Sequence, residues 1–204
     1  MLEQILFDLP PEANYQLPDP ALVQHYKNRN LRVYWLLDEI DEKLYNLAQF
    51  IIDINREDEK IDPMLRKPIK IVIASPGGDL EITETICNLI EISQTPIWGI
   101  GIGMVASAAS LIYLSCHKKY ALPDAVFLYH KGSGNLVGTY GQLDAAFQDY
   151  QRKVEKLVKF YISHTSFDEE TIRNKMNTDW YIQAQEAIEN NACDAIVSDI
   201  SLFF

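Results

Sequence analysis

The stretch IVIASPGGDLEITETICNLIEISQTPIWGIGIGMVASAASLIYLS, residues 71–115, decides how this chain folds. With the two residues before it, it opens on "IKIVIA" (69–74), an apolar, β-branched run that reads as a buried strand. "SPGG" (75–78) ends that run as a turn. Its proline fixes one backbone angle, and its glycines permit conformations that expose N–H groups. "LEITETICNLIEIS" (80–93) is helical in pattern, "PIWGIGI" (96–102) is another strand, and a further helix opens at Ser107. Strand, helix, strand, helix in series predicts right-handed crossovers and a largely parallel sheet.

Ser107 sits among alanines in a run that otherwise reads as core. Small residues let a helix pack closely on a sheet, and a lone serine there is more often a packing or N-cap residue than a nucleophile. Ser110, one turn further on, shows how readily serines occur in this segment. The sharper reading places Ser107 at a strand-to-helix turn where it does chemistry.

Working outward, "LRVYWLL" (31–37) reads as a buried strand, and Leu37, Ile40, Leu44, Leu47, Ile51 and Ile54 form an amphipathic helical stripe. "NREDEKIDPMLRKP" (55–68) is a charged loop, "AVFLYH" (125–130) a strand, and "GSGNLVGTYGQ" (132–142) a glycine-rich loop. Phe147, Tyr150, Val154, Leu157, Val158 and Tyr161 stripe a helix over about 140–165. That is far longer than the average of about 11–12 residues. Such a helix is expected to project from the sheet and pack on another subunit. The first 20 residues hold four of the nine prolines and little periodicity, which predicts an N-terminal arm followed by one domain over 21–204.

At 204 residues, 48% apolar and 23% charged, the chain has the composition of an ordinary globular protein. A formal charge of −11 argues against nucleic acid or anionic membrane as the main partner. The three cysteines, Cys87, Cys116 and Cys193, form no paired framework, which fits a reducing compartment. The N-terminus has no basic region ahead of an apolar run, and no segment reaches the roughly 20 apolar residues of a membrane span. A cytoplasmic location is expected.

A serine nucleophile needs a base, a group that orients the base, and donors for the oxyanion. Of the four histidines, His130 ends an apolar strand, at the carboxyl edge where sites form in parallel sheets. His117 lies in a polar turn, His25 near the N-terminus, and His164 at the end of the long helix, where a cation suits the dipole. "SPGGD" at the end of one strand and Ser107 at the end of another are brought to the same edge by a single crossover. Residue chemistry alone does not choose among the many acids.

The segment 71–115 resembles the core of the proteolytic subunit of the Clp protease (ClpP), in which "SPGG" is followed by helix, strand and "GMAAS". "LPDAVFLYHKG" (122–132) and "TDWYIQAQEAIENNACDAI" (178–196) are similar to the family's later motifs, in the same order. The resemblance implies an α/β fold of the ClpP/crotonase type, a spiral of repeated β-β-α units with a mostly parallel sheet and a long handle helix. It implies Ser107 as nucleophile, His130 as general base and acid, and Asp179 as the carboxylate that orients the imidazole. The backbone N–H groups of Gly78 and Ala108 would form the oxyanion hole.

The implied activity is hydrolysis of unfolded polypeptides inside a ring-shaped homo-oligomer, with heptameric rings. The chain contains no GxxxxGK[ST] motif, so ATP would be used only by an AAA+ unfoldase acting in trans. No cofactor and no metal are expected in the chain itself. The order Ser…His…Asp differs from that of α/β-hydrolases. The chain departs from the family pattern at several places: Thr178, preceded by Asn177, stands where an arginine serves ring-to-ring contacts, Lys131 and Gly132 follow the histidine, and the groove-lining strand becomes the longer GSGNLVGTYG. A crotonase-type acyl-CoA enzyme using the same oxyanion geometry, and an inactive ring subunit, are the alternatives.

Overall fold

The computed structural model describes residues 19–132 and 137–203, so all but the last two residues of the arm expected over 1–20, and part of the glycine-rich loop, lie outside the described residues. The chain divides at Leu31/Arg32. The first unit contains helix α1 (Pro20–Leu31), which runs across the boundary expected at residue 20 and buries none of its side chains.

The second unit, Arg32–Phe204, holds the sheet. Its elements are β1 (Val33–Leu36), α2 (Tyr45–Glu57), β2 (Ile69–Ser75), α3 (Leu80–Ile92), β3 (Ile97–Ala106) and α4 (Ala108–Ser115). They continue with β4 (Lys118–Ala121), β5 (Val126–Tyr129), α5 (Tyr140–His164), α6 (Glu169–Lys175), β6 (Trp180–Gln183), α7 (Ala184–Glu189) and β7 (Ala195–Ile196). Among the described residues the sheet runs β1-β2-β3-β4-β7, with β5 branching from β3 and β6 from β5. Every pairing is parallel except β5 with β6.

The branch has a local cause. Ile73 lies opposite Gly101 but Ser75 opposite Val105, so β3 bulges between those two pairings. A bulge bends and twists its strand, and β3 changes neighbour there, pairing β4 over Trp98–Gly101 and β5 over Met104–Ala106. The apolar reading of 96–102 therefore stops at the bulge, whereas the strand continues to Ala106.

Ile69, Ile71, Ile73, Ile86, Ile90 and Ile97 are all fully buried between the sheet and α2–α4. Burying one such side chain is worth about 1.5–3 kcal/mol. Two sequence expectations shift. The helical stripe from Leu37 begins as a helix only at Tyr45, because Ile40 is taken up by a parallel bridge to Gly78 and Asp41 caps a 3₁₀ turn at Glu42–Leu44. The segment around His117, SCHKKY (115–120), is more than the polar turn expected, since Lys118–Ala121 forms β4 and His117 Nδ1 accepts the Ile97 N–H at 2.9 Å.

Arg32 clamps the end of α2. Its guanidinium donates two bonds to Asp58, at 2.6 and 2.7 Å, and Thr95 Oγ1 donates a third at 3.0 Å. Asp58 is 1% exposed, and the Arg32 hydrogen bond holds its carboxyl below the usual aspartate value despite burial. A depressed pKa adds stability above the unfolded-state value of about 3.9, and that stability is lost as pH falls through the folded-state value. Asp58→Asn is expected to cost about 1–3 kcal/mol at neutral pH, since it removes the counter-charge of the half-buried Arg32 guanidinium and weakens the charge-assisted bonds between them. The gap between parent and variant should narrow below about pH 4. Denaturant midpoints measured across pH check this, and a gap that stays constant into acid would contradict it.

Candidate active site

Strand register converges three chain segments at one sheet edge. Ala106 pairs with Leu128, and the Ser107 N–H donates to the Leu128 carbonyl at 2.8 Å, so the ends of β3 and β5 are tied side by side. His130 follows β5 directly. Tyr129 pairs with Trp180 across the antiparallel β5–β6 ladder, which sets Asp179 opposite His130. The Tyr129 and Trp180 rings, 5.8 Å apart and nearly perpendicular, pack that junction from below.

Ser107 has φ +53° and ψ −125°, a region that a non-glycine residue occupies only when its surroundings hold it there. Such strain, of order 1–3 kcal/mol, concentrates at functional sites. Its Oγ lies 2.6 Å from His130 Nε2. His130 Nδ1 lies 3.5 Å from Asp179 Oδ1, beyond a normal hydrogen bond, and the aspartate side chain is 57% exposed.

The SPGG turn packs directly on this elbow. Gly77 has φ +94°, and a Cβ there would fall 2.8 Å from Ser107 Cβ and 2.9 Å from the Ala108 nitrogen. Gly78 has φ +148°, and a Cβ there would overlap the Ile40 backbone. The bridge to Ile40 uses the Gly77 carbonyl (2.7 Å) and the Asp79 N–H (2.9 Å), which leaves the Gly78 N–H outside the ladder. Ala108 is the first residue of α4, so its N–H has no partner within that helix. Ser75 braces the turn, accepting from the Gly77 N–H at 3.2 Å and donating to the Asp38 carbonyl at 2.6 Å. Asp79 then caps α3 by accepting from Glu81 and Ile82 N–H groups.

A cleft of about 1050 Å³ opens over these groups, and Gly78, Ser107, Ala108, His130 and Asp179 all line it. Leu80, Leu111 and Leu157 give it apolar wall, and Phe147 and Tyr150 reach it from α5. The arrangement pairs a hydroxyl with a base, next to the backbone N–H groups of Gly78 and Ala108, in one cleft.

The profile of the Clp protease family matches residues 29–199. This chain belongs to the Clp protease family. It is 30% identical over 165 residues to the ATP-dependent Clp protease proteolytic subunit 2 of Treponema denticola, across 74% of this chain and 82% of that one. It is 26% identical over 176 residues to the proteolytic subunit 3 of Rhizobium etli, across 85% of this chain and 86% of the relative. The structure of a ClpP1 mutant from Listeria monocytogenes superposes with a TM-score of 0.70 at 22% identity, over 89% of this chain and 99% of the other, which shows a shared fold. Within the family this member is divergent.

Within the second unit, His117 and His164 do not line the cleft. His25 lies on α1, and His164 closes α5, where its ring stacks on Phe160 at 4.0 Å. Sequence reading passed over two features of the site. Lys131 Nζ donates to Asn177 Oδ1 at 2.5 Å, tying the segment after His130 to the one before Asp179. Tyr161 reaches the back of the elbow from α5. Neither carries a local signal, since one is a half-buried lysine outside any element and the other one member of an apolar stripe. No helix among the described residues is long and apolar enough to cross a membrane.

Proposed function

We propose that this chain is a serine endopeptidase of the Clp type, cutting unfolded polypeptides inside a homo-oligomeric ring chamber. The observation that carries the reading is the 2.6 Å contact between Ser107 Oγ and His130 Nε2 at a strained elbow beside the SPGG turn. Ser107 Oγ attacks the scissile carbonyl as His130 takes its proton. His130 then returns that proton to the leaving amine, and a water completes hydrolysis of the acyl-enzyme. Asp179 holds the imidazole with its proton on Nδ1, and the Gly78 and Ala108 N–H groups receive the developing oxyanion. A crotonase-type enzyme would have no use for the Ser107–His130 pair.

The ring reading, with heptameric rings, is supported by α5, whose aromatic residues Tyr140 and Phe147 are exposed although they lie on its apolar stripe or at its start. A second copy of this chain would cover them. The relatives' names include "ATP-dependent", which supports an AAA+ unfoldase partner that consumes the ATP, this chain needing no cofactor of its own.

The test incubates the purified protein with an unfolded polypeptide and sequences the products, alongside its mass in solution. Cleavage that disappears in Ser107→Ala, by a species many times the mass of one chain, is expected. Cleavage that survives Ser107→Ala would refute the nucleophile, and a stable, active monomer would refute the chamber.

A further inference from the structure

We propose that Ser110 and Tyr161 are positioning residues for the nucleophile, their hydroxyls forming a buried chain that holds the Ser107 elbow through its carbonyl. The inference rests on the serine-peptidase reading of the same site.

The carbonyl of Ser107 accepts two bonds from one residue, the Ser110 N–H at 2.9 Å and the Ser110 hydroxyl at 2.6 Å. The N–H bond would be available from almost any residue at that position. The hydroxyl bond is what serine adds. A helical serine often bonds back to a carbonyl one turn earlier, so that contact alone would say little. The second link is not local: Tyr161 Oη lies 3.2 Å from Ser110 Oγ, brought there by α5 from 51 residues away.

Only one proton arrangement satisfies both contacts. The Ser107 carbonyl can only accept, so Ser110 donates to it, and Tyr161 must then donate to Ser110 Oγ. Ser110 is fully buried and Tyr161 is 2% exposed, so water does not replace either bond. Burial also pushes the Tyr161 phenol far above its usual pKa, which keeps its proton in place. The ring is fixed by Tyr129, 4.5 Å away, and by Phe160 at 6.0 Å.

The geometry explains how a strained residue is held. Ser107 ψ sets where its carbonyl points, its φ sets where Cβ stands relative to β3, and χ1 then turns Oγ toward His130. Fixing the carbonyl from behind leaves the hydroxyl in front aimed at the base. Because α5 also carries Phe147 and Tyr150 into the cleft, the helix that supplies cleft wall also braces the nucleophile.

The experiment compares Ser110→Ala, Tyr161→Phe and the double variant in the full-length assembled protein, with active sites titrated by a fluorophosphonate. Ser110→Ala is expected to lower kcat per titrated site by about tenfold, and Tyr161→Phe by about threefold, with KM unchanged. The double variant should be no slower than Ser110→Ala, since breaking the first link makes the second irrelevant. A role confined to stability would lower the melting temperature or the titrated fraction and leave kcat per site intact, which would overturn the inference. A loss confined to KM, or additive losses, would overturn it as well. If the parent protein neither labels nor cleaves, the peptidase reading fails. The inference is then decided by a crystal structure of Ser110→Ala, where an unchanged Ser107 φ and Oγ–Nε2 contact would overturn it and their departure would support it.

Discussion

His130→Ala is expected to lower kcat for peptide hydrolysis by about 10⁴–10⁶-fold while KM changes little. The reason lies in the 2.6 Å contact. A serine hydroxyl is a poor nucleophile until its proton is removed during attack, and His130 Nε2 is the basic atom seen within reach of Ser107 Oγ. Without it the proton must pass to water, and the leaving amine loses its acid as well. Substrate binding should persist, because the cleft walls are formed largely by Leu80, Leu111, Leu157 and the aromatic side chains of α5. The measurement is steady-state kinetics on a fluorogenic peptide, with circular dichroism and solution mass showing the variant folded and assembled. Activity within tenfold of the parent would mean that another group takes the proton.

Asp179→Asn is expected to have the second largest effect, a loss of about 10²–10³-fold. Where a carboxylate is buried and hydrogen-bonded to its histidine, the same change typically costs about 10⁴-fold, because the wrong tautomer is held. Here the Nδ1–Oδ1 spacing is 3.5 Å and the aspartate is more than half exposed. Water screens such a charge, and the imidazole is less firmly committed to one tautomer. The expected loss is reduced accordingly. The Lys131–Asn177 bond adds to the β5–β6 ladder in keeping these two segments adjacent. Full activity in Asp179→Asn would show that another carboxylate orients His130. A loss as large as that of His130→Ala would mean that the spacing closes when substrate binds.

The central elements were legible because burial leaves a local apolar pattern, a continuous run in a strand covered on both faces and a one-sided stripe in a helix. β2 reads as an apolar run interrupted only by Lys70 before its closing Ser75, and α3 has a clean apolar stripe. β4 was hidden because Lys118 and Lys119 are solvated, and its place comes from pairing with β3 and β7. β6 alternates buried and exposed over only four residues, too short a run to stand out as a strand. That omission bears on the site. Asp179 meets His130 only because β6 runs antiparallel to β5 with Trp180 opposite Tyr129, a long-range pairing that no local pattern encodes.

Ser107, by contrast, stood out from its setting at a strand end among small residues, although its positive φ was not visible there. The packing reading of that segment was correct in part. Small side chains do let the SPGG turn and the start of α4 come close together, and the contact that Gly77 permits with Ser107 and Ala108 is the outcome. The same closeness brings the backbone donors beside the nucleophile.

The central claim is that Ser107 is an activated nucleophile, and adduct mapping tests it most directly. The protein is treated with a fluorophosphonate, digested, and the modified residue located by mass spectrometry, in the parent and in Ser107→Ala and Ser110→Ala. The account requires a single adduct on Ser107, absent from Ser107→Ala and still formed, more slowly, in Ser110→Ala. An adduct that survives Ser107→Ala but disappears in Ser110→Ala would contradict it.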